Sequence, residues 1–259
     1  MARSRTCSLF VFLALAVLSP LSAHPQEGAP IVANQPVVLA TDAQALGGRV
    51  IAIDVSAPLT HAQSMERWSM DLTAAIGRLM SVATAVAVVQ READVVVVRI
   101  DGGGISSPIE VRLHVPSMSF RTTVRTVTRG WSTPSNGLAP SRVVGTSGTF
   151  TVEIAPSGVY SVDLVKGEIG DETAALFAHK FGAPAAAITG EYFAPTRIVG
   201  SGLVLILLDP SATEQQAQAA EQAVRSFGFL SPLIKGGLGP RQWLERISSD
   251  SIYAVRLGS

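Results

Sequence analysis

Short β-branched runs, each closed by glycine, proline or aspartate, recur along this chain and restrict it to folds built on sheets. Arg49–Val55 is one such run, and Leu203–Leu208 is another. Between them, Ile109, Val111, Leu113 and Val115 alternate with Glu110, Arg112 and His114, and Met118, Phe120, Thr122 and Val124 alternate with Ser119, Arg121, Thr123 and Arg125. A period of two places apolar side chains on one face of a strand and polar ones on the other. Phe150–Ile154 and Val159–Val165 flank Ala155-Pro156-Ser157-Gly158 and read as a hairpin. Val37–Ala40, Ala185–Phe193 and Ile252–Leu257 are further expected strands.

Helical spacing is rarer. Met65, Trp68, Leu72, Ile76 and Leu79 recur at steps of three and four, which predicts an amphipathic helix over 61–80. Val82–Val89 and Asp94–Ile100, split by Gln90-Arg91-Glu92-Ala93, then read as a second hairpin. A helix over 171–181 is closed by Gly182, with Asp171 and Glu172 at the end where the helix dipole favours anions. Thr213 caps a helix over 214–227, and 240–247 is expected to form a last one. From Val159 onward the order is βαββαβ with an insertion at 229–239 before the last strand, the pattern of a ferredoxin-like unit. The fold class expected is therefore α+β, in two small sheet–helix layered domains. Their limits are 37–148, with a β-meander, and 149–259, the ferredoxin-like one; the turn-rich stretch 130–148 forms the boundary.

Residues 1–23 combine Arg3 and Arg5, an apolar run from Leu9 to Val17-Leu18, and a small residue at Ala23. This is the build of a secretory signal peptide, with 24–36 as a flexible lead-in. Cleavage there removes Cys7, the one cysteine, leaving no thiol for disulfides, metal sites or nucleophilic catalysis. Apolar content of 47% against 15% charged residues argues for a packed core rather than disorder, and a formal charge of zero gives no footprint for nucleic acid. Beyond the leader, no uninterrupted apolar run reaches the length of a membrane span. The expected location is periplasmic or secreted, in a bacterium.

The chemistry-bearing patterns are sparse. Asp101-Gly102-Gly103-Gly104 runs into an alternating strand instead of a helix N-terminus, so it reads as a hairpin turn and not a phosphate cradle. The segment VVVVRIDGGG, residues 95–104, resembles the oxyanion strand of crotonase-like serine–lysine peptidases, but no helix follows it and no role is carried over. Ser106 or Ser107 with Lys166 or Lys180 would be the elements of a small secreted serine hydrolase, the alternative function. The four histidines, His24, His61, His114 and His179, have no metal-ligand spacing, and neither metal nor cofactor is expected. Asp54, Asp101 and Asp209 read as turn formers at strand ends.

Arginines carry the main functional expectation. No acidic residue lies between Glu110 and Glu153, whereas Arg112, Arg121, Arg125, Arg129 and Arg142 all do. On extended chain, Arg121, Arg125 and Arg129 share a face, which Arg112 and His114 join from the neighbouring strand. Guanidinium forks suit phosphate or carboxylate. Phe229, Leu233 and Ile234 stand in a Gly-rich segment too apolar for a solvated loop, which suggests a docking tongue. The function expected is an exported, non-catalytic envelope protein binding through one or both surfaces. Its partner would be an envelope protein, an anionic glycan or a lipid headgroup. A protease-inhibitor or chaperone-like module is a further alternative, by analogy with other ferredoxin-like units.

Overall fold

The computed structural model describes residues 34–43, 47–128, 138–182, 184–194, 197–226 and 253–254. Contacts divide the chain into Met1–Val32 and Ala33–Ser259, and every described residue belongs to the second unit. Strands β1 (Val37–Ala43) and β2 (Gly48–Asp54) precede helices α1 (Ser56–Glu66) and α2 (Met70–Val89). Then come β3 (Val95–Gly103), β4 (Ile109–His114), β5 (Ser119–Val124), the four-residue α3 (Ser141–Val144), β6 (Gly145–Ala155) and β7 (Gly158–Leu164). The order closes with α4 (Gly170–Phe181), β8 (Ala185–Ala194), β9 (Arg197–Leu208), α5 (Glu214–Ser226) and β10 (Tyr253–Ala254).

These strands form two sheets, antiparallel at every junction: β10-β1-β2-β9-β8 and β5-β4-β3-β6-β7. Helix α2 lies between them and packs on β2, β8 and β9 of the first and on β3 and β4 of the second. Ile53 and Leu205 from one sheet, Val98 and Val111 from the other, and Leu72 and Ile76 from the helix belong to one buried cluster. Every residue of α2 except Val89 is buried. A helix enclosed in this way has to be apolar around its whole circumference. Its hydroxyls are satisfied within the helix: Ser81 Oγ donates to the Gly77 carbonyl and Thr84 Oγ1 to that of Met80, both at 2.9 Å. By length and composition α2 would also pass for a membrane span, but 94% of that window is buried inside the protein.

The structure corrects the reading of this region. The expected helix over 61–80 is two helices, broken where Arg67 turns left-handed at φ 54°, and the expected strand 82–89 is the second half of α2. A helix buried all round and a strand buried on both faces produce the same continuous apolar run, so periodicity could not separate them. Met65, assigned to the apolar face, is 73% exposed near the end of α1, whereas Trp68 is buried in the connection. The strand runs at 109–115, 118–124, 150–154 and 159–165 correspond to β4 to β7.

The chain is α+β, but its two sheets do not follow the expected division. Each takes strands from both sides of residue 148. The βαββαβ order is also split: β7 ends the second sheet, while β8, β9 and β10 belong to the first. The sequence pattern fixed the element types of that stretch but not which strands pair. Part of the turn-rich boundary is structured, as α3 and the start of β6. At Asp101–Gly104 a Cβ on Gly104 would lie 2.4 Å from Gly145 N and Val143 O, so these glycines let the end of β3 pack tightly on the start of β6.

Gly77 marks a close approach of α2 to the first sheet and to α1, since a Cβ there would lie 2.6 Å from Ser201 Oγ and 2.7 Å from Leu59 Cδ2, both buried. Gly→Ala stabilises an open helix by about 1 kcal/mol. Here overpacking outweighs that gain, and Gly77→Ala is expected to cost about 1–2 kcal/mol in equilibrium urea unfolding.

Candidate functional site

The register of β4 with β5 sets Arg112 opposite Arg121 and His114 opposite Ser119. All four are exposed, as is Arg125, which follows β5 and donates its backbone N–H to the Pro108 carbonyl. Arg112 is 3.8 Å from Glu110, and His114 Nδ1 is 2.7 Å from Ser117 Oγ. No ion pair is recorded for Arg121 or Arg125 among the described residues. Like charges directly opposite cost stability, and solvation relieves that cost. Arg129, Phe229, Leu233 and Ile234 lie outside the described residues, as do the leader at 1–23 and the expected helix at 240–247.

The serine alternative fails on access. Ser106 and Ser107 are 0% and 1% exposed. Ser107 Oγ accepts the Gly102 N–H at 2.8 Å, which is a structural bond. Lys166 reaches Asp171 at 3.0 Å, and Lys180 lies 4.1 Å above the Tyr160 ring. Asp54 accepts from the Ser56 backbone N–H at 2.7 Å and from its hydroxyl, closing the turn into α1. Burial raises its pKa, and those two bonds oppose the shift. Among the described residues no three His, Cys, Asp or Glu side chains cluster as metal ligands.

A buried ionic constellation escaped the sequence reading. Arg78, on α2, is 4% exposed. Its Nε donates to Glu191 Oε1 at 2.7 Å and its Nη2 to Oε2 at 3.0 Å, a two-point grip on β8. Its Nη1 donates to the Glu168 carbonyl at 2.5 Å and to Glu168 Oε2 at 3.2 Å. Burial opposes the charge on Arg78, but the carboxylates outweigh it and hold the pKa above the usual arginine value. Nearby, Glu172 Oε1 accepts backbone N–H groups from Val165, Lys166 and Gly167 at 2.9–3.2 Å and fixes that turn. The one signal available in the sequence was a lone charge within an apolar run, with its partner 113 positions away.

Two surfaces adjoin this constellation. A groove of about 680 Å³ runs along β8 between α4 and α5, and Arg78 forms part of its wall. On the far side of the first sheet from α2 lies a separate apolar cluster that includes Val50, Ala52, Ile188, Val204, Ile206 and Leu208. Helix α5 covers part of it with Ala217, Ala220 and Val224. Thr213 caps α5: its Oγ1 accepts the Gln216 N–H at 3.2 Å while Gln216 Oε1 accepts the Thr213 N–H at 2.9 Å. Burying an alanine methyl contributes only about 0.8 kcal/mol. Ordering each residue of this 13-residue helix costs about 1–2 kcal/mol in backbone entropy. Among the described elements, α5 thus covers this apolar sheet face mainly with small side chains.

Comparison with known proteins gives this arrangement a context. A family model described as Hsp33 protein matches residues 38–257. The chain belongs to the Hsp33 family. It is 30% identical over 200 residues to the 33 kDa chaperonin of Shouchella clausii, covering 75% of this chain and 68% of that protein. It is 28% identical over 211 residues to the 33 kDa chaperonin of Deinococcus radiodurans, covering 74% of this chain and 69% of that protein. The crystal structure of the Hsp33 homologue of Thermotoga maritima superposes with a TM-score of 0.66 at 19% identity, over 83% of this chain and 74% of that one. It shares the fold, a mixed α+β architecture.

Membership of the Hsp33 family overturns the functional expectations. The exported envelope protein, periplasmic or secreted, gives way to a chaperone-family chain. An envelope protein, an anionic glycan or a lipid headgroup as partner gives way with it, and so does the secreted serine hydrolase. The chaperone-like alternative was tied to a ferredoxin-like sheet order that the described strands do not follow.

Removing Glu191 leaves the buried Arg78 charge with Glu168 alone, whose side chain is half exposed. Glu191→Leu is expected to cost about 3–5 kcal/mol in chemical unfolding, and the double variant Arg78→Met/Glu191→Leu to recover most of that loss.

Proposed function

We propose that this Hsp33-family chain is a chaperone that holds non-native polypeptides on the outer face of its first sheet. Family membership across residues 38–257 carries the reading, and the named relatives are 33 kDa chaperonins. The geometry supplies a surface suited to such a role. Hydrophobic attraction is non-directional, so Val204, Ile206 and Leu208 would accept many client sequences in turn. Helix α5 shields part of that face when no client is bound, and its alanines release it at small cost. The main cluster around α2 is separate, so exposing the outer face leaves the core closed. A chaperone needs both properties: an apolar surface to offer and a fold that survives offering it.

Ala220, within α5, is fully buried. Ala220→Asp places a carboxylate there and is expected to displace the helix, raising suppression of aggregation of a chemically unfolded reporter enzyme several-fold. Ile206→Ser is expected to lower it. Circular dichroism checks that both variants keep their fold, and unchanged suppression in both would refute the assignment of this face.

Cys7, the single cysteine, lies outside the segment matched to the family. Residues 38–257 therefore offer no thiol chemistry of their own. Suppression by the full chain is expected to be equal in dithiothreitol and after diamide, and equal again for Cys7→Ser.

A further inference from the structure

The groove beside β8 carries an inference that does not rest on the client-holding reading. β8 pairs only with β9 among the described residues, so its other edge is a sheet edge. The bonding parity can be read from one contact: the Leu208 N–H donates to the Pro184 carbonyl at 3.1 Å. In an antiparallel ladder every second residue exchanges its bonds with the residue opposite. Ala186, opposite Ile206, and Ile188, opposite Val204, share that parity and bond to β9. Ala185, Ala187 and Thr189 therefore direct their backbone N–H and C=O groups away from β9.

A second observation agrees. A Cβ placed on Gly170 would lie 3.5 Å from Ala187 O and 3.6 Å from Thr189 N, which puts both atoms on the side facing α4. Thr189 Oγ1 also bonds the Glu168 carbonyl, so residues 168–170 bound the edge at that end. From Ala185 to Ala187 the edge opens on the groove, and no backbone bond to Ala185 or Ala187 from outside the ladder is recorded among the described residues. Exposed edge groups of this kind are templates for another strand. At about 3.3 Å per residue the groove accepts an extended segment of about three to five residues, and its volume falls within the range of ligand-holding clefts.

Charge specifies the occupant. The lining contains two cations, Arg78 and Lys166, and three acids, Glu168, Asp171 and Glu221. Arg78 is shared between buried Glu191 and Glu168, which leaves one carboxylate charge in excess, and Lys166 bonds Asp171. The balance is acidic, and the Glu168 and Asp171 side chains are 48% and 64% exposed. The geometry points to a site for an extended, lysine- or arginine-bearing peptide segment that adds to the edge of β8 at Ala185–Ala187, its cationic side chains meeting the acidic rim. Backbone bonds provide the attachment and the rim selects the charge, a division common to strand-addition sites.

The test uses the full chain and a fluorescent five-residue peptide of alternating lysine and valine, followed by anisotropy. Saturable binding is expected at low salt, about tenfold weaker for the glutamate–valine counterpart. It should be lost when the peptide's backbone nitrogens are methylated, because methylation removes the edge bonds and leaves the charge. Glu168→Gln is expected to weaken binding several-fold. Ala187→Pro is expected to abolish it, because the N–H removed faces the groove and not β9. Should Ala187→Pro fail to fold, the methylated peptide decides the point. No binding, or equal binding by the glutamate or the methylated peptide, overturns the proposal. Aggregation suppression measured on the same Ala187→Pro protein separates the two readings: retained suppression with lost peptide binding shows that the edge bonds are dispensable for client holding, although groove and client face share Ile188, Leu208, Ala217 and Val224.

Discussion

Enclosure of α2 between two sheets is the constraint on which the rest of this structure depends. A helix in that position has no solvated side, so small residues must let both sheets approach and each polar atom must be satisfied internally. Gly77, Ala83 and Ala87 meet the first demand, and Ser81 and Thr84 meet the second by bonding back to the preceding turn. Two charges are exceptions: Asp71, near the start of the helix, is met by the Ala139 N–H and Arg142, and Arg78 is tolerable only because Glu191 and Glu168 reach it from two other segments. The Arg78–Glu191 pair therefore fixes where β8 lies relative to the central helix, at the cost of burying two charges.

The functional surfaces follow from that arrangement. With its inner face committed to α2, the first sheet still has an apolar outer face, and α5 covers part of it with alanines and a valine. The edge of β8 is left beside α4, whose start is held near it by Glu168 and Gly170. The second sheet differs, because its outer face carries Arg112, His114 and Arg121 into solvent and has no need of a cover.

Strand types were legible because half-buried antiparallel strands alternate strictly, as 109–115 and 118–124 do. Helix α4, with Gly182 at its end, and α5, with its Thr213 cap, were legible through local chemistry. Pairing was not: the βαββαβ order from Val159 is real as a sequence of elements, yet β7 and β8 join different sheets. Nor was the site. Arg78 and Glu191 are far apart in sequence, and nothing local marks either as a partner of the other. The exported reading of residues 1–23 drew on the order of a basic start, an apolar run and a small residue, and it directed the functional argument to envelope ligands until the family relationship replaced them.

The central claim is that the outer sheet face opens by movement of α5 while the α2 core stays closed. Hydrogen–deuterium exchange on the full chain, alone and saturated with a chemically unfolded client, tests it directly. The account predicts faster amide exchange in α5 than in α2 for the free protein, further loss of protection in α5 with client bound, and unchanged protection across Met70–Val89. Loss of protection in α2 together with α5, or added protection in α5 in the complex, would contradict it.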